Sequence, residues 1–429
     1  MPELPPAFLG RMRAVLGEAG YGEYLAAMAL PPARSGRINT LKITPERFAA
    51  LTGYAVQGEA FSADTAFSPG TDIFHAQGLY YMQESSARFP ASLFHLKDGM
   101  CVLDLCAAPG GKSGQLAARL HNTGLLLSNE LVPQRAKILE GNLERLGVTN
   151  AAVTCMEAEA LTALTGPVFD AVLVDAPCAG EGMFRKDPDA VRDWSEEHVQ
   201  SCAVRQRKLL LSAANAVKPG GELVYSTCSF SPAENGETVQ YFLEKRPDFS
   251  LVTQRTLYPH TSDGEGQFAA LLVRGGQGEE TALVTRKSRP CREWEAFQDE
   301  LHPLFAGTPT ALPDGRVFLL PPLPAAWNGD FPKGLRLLRG GLLLGEAAKG
   351  RFTPAHALAM AGNIPLLRRT VPLNEAEACR YLAGETLATD IKGWCAVTCH
   401  GFALGLGKGA DGILKNHLPK GLRILKNCR

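Results

Sequence analysis

The sequence predicts an α/β fold: a doubly wound, mainly parallel sheet, with smaller α+β units at both ends of the chain. Three observations lead there. Residues 101–105 form a short apolar run, followed by Ala108-Pro109-Gly110-Gly111 and then by helical spacing at Leu116, Ala117 and Leu120, with Ser113 placed to cap the helix. A strand, a glycine-rich turn and a helix make the nucleotide-binding corner of an open α/β sheet. Further apolar runs of strand length alternate with helical stretches downstream, as in repeated βαβ units. Acids also recur where those runs end, at Asp104, Glu130, Glu157 and Asp175. One acid at a strand end is usually a helix cap; four at one sheet edge point to a ligand cleft.

The corner narrows the ligand. The dinucleotide fingerprint G-x-G-x-x-G is absent, which disfavours a nicotinamide-dependent oxidoreductase. Gly111-Lys112-Ser113 matches the end of a phosphate-binding loop, but that loop's opening glycine would fall at Cys106. Asp104 with a small loop suits a ligand without phosphates, such as the methyl donor S-adenosylmethionine. The plainer alternative is an ordinary strand–helix turn.

With 429 residues the chain has room for about two to four domains. Apolar residues make up 45% and charged residues 21%, a globular composition. Lys and Arg (44) balance Asp and Glu (44), so binding to a polyanion requires local patches rather than an overall field. Residues 1–10 lack the basic start and apolar core of a signal peptide, and no apolar run is long enough to span a bilayer. The 11 cysteines follow no disulfide-framework spacing, as in a reducing compartment. A cytoplasmic monomer without membrane or metal partners is expected.

The first 75 residues are expected to form an α+β appendage. Helical spacing runs through residues 5–30, and Arg34, Arg37 and Lys42 then flank the strand-like Ile38-Asn39-Thr40-Leu41. On sequence physics alone these cations read as a solvated face. Residues 77–94 look like a helix leading into the sheet. Strands follow at 124–130, 152–157 and 169–175, with a helix at 135–146 stopped by Gly147. Glu130, ending the second strand, is placed to accept hydrogen bonds from ribose hydroxyls. A helix over 199–216 ends at Lys218-Pro219-Gly220-Gly221, and strands at 222–226 and 268–273 complete the sheet. Gly275-Gly276-Gln277-Gly278 reads as a linker, followed by a hinge near 286–292.

Beyond it, strands are expected at 316–320 and 335–339, with a turn at Gly340-Gly341, and a compact β pair at 393–397 and 401–405. The tail carries Lys408, Lys415, Lys420, Arg423, Lys426 and Arg429 against Asp411, which favours a surface facing nucleic acid. Cys395, Cys399 and His400 lack a partner ligand set for zinc and read as buried structural residues.

Two cysteines stand apart. Cys178 follows Asp175-Ala176-Pro177 and Cys228 follows Ser226-Thr227, so both fall just past strand ends on the cleft side of the sheet. Buried cysteine is commonly a small hydrophobe, but these lie outside the apolar runs. Carbon 5 of a pyrimidine is a poor nucleophile until a thiolate adds at carbon 6 and turns it into an enamine carbon. That is covalent catalysis of a hard step. A free thiol has a pKa near ~8.5, so nearby cations or a cofactor's charge must favour the thiolate. Asp175 is placed to hold ring nitrogen 3, and the target base must leave any stack to enter the cleft.

Taken together these stretches resemble the RNA 5-methylcytosine methyltransferases of the Sun/Fmu type, and within them the RsmF/YebU-like branch that acts on 16S ribosomal RNA. The likeness rests on Arg37-Ile38-Asn39-Thr40-Leu41-Lys42, Gln83-Glu84-Ser85-Ser86-Ala87, residues 104–113, Val174-Asp175-Ala176-Pro177-Cys178, Gly180-Glu181-Gly182-Met183-Phe184-Arg185-Lys186 and Tyr225-Ser226-Thr227-Cys228-Ser229. Gly407-Lys408 and residues 414–421 resemble that branch's PUA-like RNA-binding end.

The resemblance implies a Rossmann-like methyltransferase sheet and four parts: an N-terminal α+β RNA-binding appendage (1–75), a methyltransferase domain (76–275), a C-terminal α+β domain (285–370) and a PUA-like domain (371–429). It implies Cys228 as nucleophile, Cys178 in product release, Asp175 on the cytosine edge and Lys112 nearby. S-adenosylmethionine would be held by Cys106, Ala107, Ala108, Pro109, Gly110, Gly111, Lys112, Glu130, Arg135, Glu157 and Asp175. RNA would be held by Arg37, Asn39, Lys42, Lys408, Lys415 and Lys420. Glu157 stands where relatives often carry Asp, and Ala179 where they often carry Ser or Thr. A DNA cytosine methyltransferase would instead attack through the Pro-Cys thiol. A non-catalytic ribosome-assembly factor on the same fold is the alternative from another class, against which the intact Cys178, Asp175 and Cys228 count.

Overall fold

The computed structural model describes residues 4–32, 34–63, 67–303, 307–363, 365–425 and 428. Helix Pro6–Ala29, bent at Gly17 (φ 68°), opens the chain. Its apolar side, Phe8, Met12 and Tyr24, packs on Phe184, Trp194 and Phe230 beside the cysteine-bearing loops. Four short strands then form an antiparallel sheet: β1 (Ser35–Ile38), β2 (Val56–Gln57), β3 (Ala60–Ser62) and β4 (Tyr80–Met82), in the order β2-β3-β1-β4. β4 carries this sheet past residue 75. It also corrects the helix expected over 77–94. Tyr80-Tyr81-Met82 pairs with β1, and a 3-10 turn at Ser86–Arg88 leads into the short helix Phe89–Ser92, because pairing with a distant strand outweighs local spacing.

The central sheet contains β5 (Cys101–Asp104), β6 (Leu125–Asn129), β7 (Ala151–Thr154), β8 (Phe169–Asp175), β9 (Val217–Thr227), β10 (Phe249–Leu257) and β11 (Gln267–Arg274). The order is β10-β11-β9-β8-β5-β6-β7 with one further strand outside β7, and the five from β9 to β7 run parallel. Strand order reverses between β5 and β8. In such sheets the ligand crevice opens there, at the carboxyl ends. Both faces of the parallel strands are covered. Cys101 and Leu103 face a core with Phe169, Leu210 and Tyr225, while Val102 faces one with Leu116, Leu139 and Leu271. Lys218-Pro219-Gly220-Gly221, expected to end the preceding helix, lies within β9 as an irregularity, since Phe169 pairs with Val217 and Ala171 with Glu222.

The C-terminal half holds a ribbon of β12 (Leu283–Val284) with β15 (Leu323–Pro324), and a four-stranded sheet of β13 (Thr308–Ala311), β14 (Arg316–Leu320), β17 (Leu342–Ala348) and β18 (Arg351–Pro354). Between them β16 (Leu337–Arg339) runs antiparallel to β7 and becomes the eighth strand of the central sheet. Arg339, almost fully buried, fastens it by donating to the carbonyls of Gly341 and Val148. The last sheet has β19 (Thr370–Leu373), β20 (Leu387–Ala388), β21 (Gly393–Cys399), β22 (Phe402–Ala410) and β23 (Ile413–Asn416), in the order β19-β21-β22-β23-β20.

Nine cysteines are free. Cys379 and Cys428 form a disulfide, correcting the expectation of thiols outside any bridge. Cys395 and Cys399 are buried and His400 pairs with Glu375 at 2.9 Å; no metal-binding cluster exists among the described residues. No helix among the described residues is long and apolar enough to cross a membrane.

Candidate active site

β5 delivers Asp104 to the switch point, and the turn after it enters helix Gly111–Arg119 through Gly110, whose φ of 111° favours glycine. Ser113 does not cap this helix. It donates to Asp104 Oδ2 at 2.6 Å, while Asp104 Oδ1 is buried without a partner among the described residues. Burial, with Asp175 and Glu130 nearby, pushes the Asp104 carboxyl up to about 7, against the pull of the Ser113 hydroxyl and Lys112.

A cleft of about 340 Å3 opens beside it, lined by the turn residues Cys106, Ala107, Ala108, Pro109, Gly111 and Lys112, with Tyr81, Asp104, Asp175 and Lys186. Arg135 braces the turn from the neighbouring helix, donating to the Ala108 carbonyl at 2.9 Å and facing Glu130 at 3.5 Å. Burial pushes the Cys106 thiol up, so it stays protonated.

Of the four strand-end acids, only Asp104 and Asp175 line this cleft. Glu130 is buried one strand away, accepting from the Val132 N–H at 3.0 Å. Glu157 is exposed at the N-terminus of helix Ala158–Thr165. Position past the last residue of a strand therefore does not by itself put an acid in the crevice.

Asp175 is held from three sides. Lys112 Nζ lies 2.8 Å from Oδ2, while Ser226 Oγ at 2.6 Å and Gln267 Nε2 at 3.1 Å donate to Oδ1. Burial disfavours the Lys112 ammonium, but Asp175, then Cys228 and Asp104, outweigh it and raise its pKa.

β8 and β9 are parallel neighbours, so the loops leaving their ends run side by side. Cys178 Sγ and Cys228 Sγ are 3.1 Å apart, and both residues are half-buried rather than sealed in the core. The contact with Cys228, followed by burial, pushes the Cys178 thiol up.

Of the residues that hold this pair, Glu181 and Gly182 fall within a stretch quoted from the sequence, whereas Glu234 and Gln206 were not singled out. Glu234, fully buried, accepts from the Ala179 N–H at 3.1 Å and from Ser229 Oγ at 2.6 Å, gripping the residue after each cysteine. Gln206 Nε2 donates to the same carboxylate at 2.7 Å and to the Pro177 carbonyl at 3.0 Å. Glu181 ties the loops to the N-terminal helix, accepting from Arg11, Trp194 Nε1 and the Phe230 N–H. The Gly182 N–H donates to the Cys228 carbonyl at 2.7 Å; a Cβ there would meet Gly266 O at 2.8 Å. A carboxylate within a cysteine-bearing loop was the available signal.

Of the N-terminal cations Arg34 is exposed, as expected of a solvated face, whereas Arg37 and Lys42 are neither solvated nor open to RNA. Arg37, Asn39 and Lys42 are buried. Arg37 donates to Gln83 Oε1 and the Gly111 carbonyl, Asn39 to the Gly78 and Leu146 carbonyls, and Lys42 to the Gln77 and Arg145 carbonyls. They join the N-terminal sheet to the glycine-rich turn and the end of helix Pro133–Arg145. Lys408, Lys415 and Lys420 are exposed, whereas Lys426 and Arg429 lie outside the described residues.

Comparison with known proteins agrees with this architecture. The chain matches the families described as N-terminal domain of 16S rRNA methyltransferase RsmF (residues 4–85), 16S rRNA methyltransferase RsmB/F (91–273), RsmF rRNA methyltransferase first C-terminal domain (296–361) and methyltransferase RsmF PUA domain (368–424). It is 33% identical to the ribosomal RNA small subunit methyltransferase F of Aeromonas salmonicida, over 98% of this chain and 97% of that protein. Among solved structures it is similar to PH0851, with a TM-score of 0.60, 28% identity and coverage of 63% of this chain and 66% of that one. It is also similar to a methyltransferase homologue from Pyrococcus horikoshii, with a TM-score of 0.54, 28% identity and coverage of 63% and 100%. The chain belongs to the RsmB/F family of 16S rRNA methyltransferases.

Proposed function

We propose that this protein methylates carbon 5 of a cytosine in 16S ribosomal RNA, in the cytoplasm, through a transient bond between Cys228 and carbon 6. The observation that carries the proposal is the thiol pair, 3.1 Å apart, next to the Asp175–Lys112 ion pair at the sheet's switch point. The corner also fits S-adenosylmethionine. Its small turn leaves a cleft, and an unpartnered Asp104 oxygen is buried beside it. Residues 106–112 with Asp104, Glu130 and Arg135 would hold that donor, which supplies an electrophilic methyl group; Glu157 would serve the adenine side.

The chain's own groups then divide the work. Asp175, fixed by Lys112, Ser226 and Gln267, orients the cytosine edge and accepts a hydrogen bond from the protonated ring nitrogen 3, so that addition at carbon 6 leaves the ring neutral. The Cys228 thiolate adds to carbon 6, and the ring's electron pair moves to carbon 5, which becomes the nucleophile. Once carbon 5 carries the methyl group, a water molecule in the cleft takes its proton, the ring double bond reforms and the carbon–sulfur bond breaks, returning the electron pair to the Cys228 sulfur as thiolate. The Cys178 S–H donates to the departing Cys228 sulfur, easing release. The division of the chain near 1–75, 76–275, 285–370 and 371–429 stays part of the proposal, with β4 and β16 crossing those limits.

Two single substitutions test it. Cys228→Ala is expected to abolish methyl transfer to 16S RNA. Cys178→Ala is expected to accumulate a covalent protein–RNA adduct, seen as a denaturant-stable band. Turnover by Cys228→Ala would overturn the assignment.

A further inference from the structure

We infer that Trp394, His417, Lys408 and Lys415 form a contact for one unpaired RNA nucleotide, with its base against Trp394 and flanking phosphates at the two lysines. The inference deepens the RNA-methyltransferase proposal and rests on it for the identity of the polyanion.

Strand register builds the site. Trp394 on β21 pairs with Lys408 on β22, and Lys408 pairs with Lys415 on β23, so the three stand in one row across the sheet. Their chain neighbours Cys395 and Leu414 point to the opposite face and are buried in the domain core. The Lys408 ammonium lies 5.2 Å from the Trp394 ring centre, and the His417 ring centre lies 4.4 Å from it.

Two lysines directly opposite one another destabilise a sheet unless something anionic lies over them. Among the described residues neither Lys408, Lys415 nor Lys420 has an ion-pair partner. Desolvation, then Lys408 and Lys415, lowers the His417 pKa, which leaves a neutral ring beside the indole. On a chain of zero net charge this is a local basic patch.

An aromatic ring set among cations matches the chemistry of single-stranded RNA. Bases stack on the ring and phosphates meet the cations. A duplex offers no free base face, so the same row discriminates against it. The base takes the indole face on which Lys408 rests, freeing that ammonium for phosphate.

Trp394 also supplies the readout. Of four tryptophans, Trp194, Trp294 and Trp327 are buried and Trp394 is half-buried. Intrinsic fluorescence of the full chain is titrated with a short unstructured oligoribonucleotide, with its duplex and with poly-glutamate. The single strand is expected to quench the exposed component. Trp394→Leu is expected to remove the quenching and weaken binding roughly tenfold, and Trp394→Tyr to keep most of the affinity.

The double change Lys408→Ala with Lys415→Ala, both exposed and tolerated by the fold, should lower the slope of log affinity against log salt by about 1.4. Unchanged affinity in Trp394→Leu, equal quenching by duplex, or quenching by poly-glutamate alone would each overturn the inference. The last result would give the site to an acidic protein. If methyl transfer is normal while Trp394→Leu binds like the unaltered chain, this contact fails and the proposed function stands. If the oligonucleotide reaches Trp394 but no RNA is methylated, the function fails and the contact stands.

Discussion

Arg37 and Lys42 near one end of the chain, and Lys408 and Lys415 near the other, look alike in the sequence: cations on or beside short strands. Their surroundings are opposite. Arg37 and Lys42 are buried, and burial lowers their pKa values to about 10 and about 7. Their partners are the Gln83 side-chain oxygen and the carbonyls of Gly111, Gln77 and Arg145, in the glycine-rich turn, before β4 and at the end of helix Pro133–Arg145. Lys408 and Lys415 are exposed, face each other across a strand pair and have no ion-pair partner among the described residues. A cation's role thus follows from what the tertiary fold packs over it. The first pair ties the N-terminal sheet to the parallel-sheet unit; the second is, on the inference above, left for an anion from outside.

The sharpest way to break this contrast is Arg37→Ala. Loss of a buried side chain and of two hydrogen bonds is expected to cost about 3 kcal/mol or more in urea unfolding. Methyl-donor affinity should fall with it, because Arg37 donates to Gly111. A change below about 0.5 kcal/mol would show that the side chain is not an anchor.

Lys42→Met comes next, leaving two carbonyls without their donor at about 1–3 kcal/mol. Here pH sharpens the comparison. With a folded pKa of about 7 against about 10.4 unfolded, the unfolded chain binds more protons between those values. The lysine's contribution to stability therefore rises with pH across that window, by at most about 1.4 kcal/mol per unit. Methionine lacks that gain, so the deficit of Lys42→Met should widen from pH 7 to pH 9 in chemical denaturation. A constant deficit would mean that the ammonium is not desolvated.

The smallest effect is expected for Lys408→Ala or Lys415→Ala. Stability should stay within about 0.5 kcal/mol, with a slight gain from removing a like-charged neighbour, while RNA affinity falls.

The methyl-donor corner and the paired cysteines were legible because each depends on a handful of contiguous residues. An apolar run, a glycine turn and a helix specify one local geometry, and Cys178 and Cys228 each follow a strand whose carboxyl end the parallel sheet must align. What sequence could not reveal depends on partners far apart in the chain. Tyr80-Tyr81-Met82 carries helical spacing but is claimed by β1, and Leu337–Arg339 finds its partner in β7. Glu157 ends an apolar run as Asp175 does, yet it lies two strands from the switch point and is exposed. Glu234 shows in the sequence only as a carboxylate in a cysteine-bearing loop; its hold on the residues after both cysteines arises only when two loops meet.

β16 has a practical consequence for dissection of the chain. A truncated protein ending near residue 275 would keep every donor-cleft and thiol residue but strip the lateral cover from β7, presenting an unpaired row of amide and carbonyl groups to solvent. Bare borders of that kind recruit other chains. Weak activity or clumping of such a fragment would then report on its raw flank, not on any need of the chemistry for the missing half.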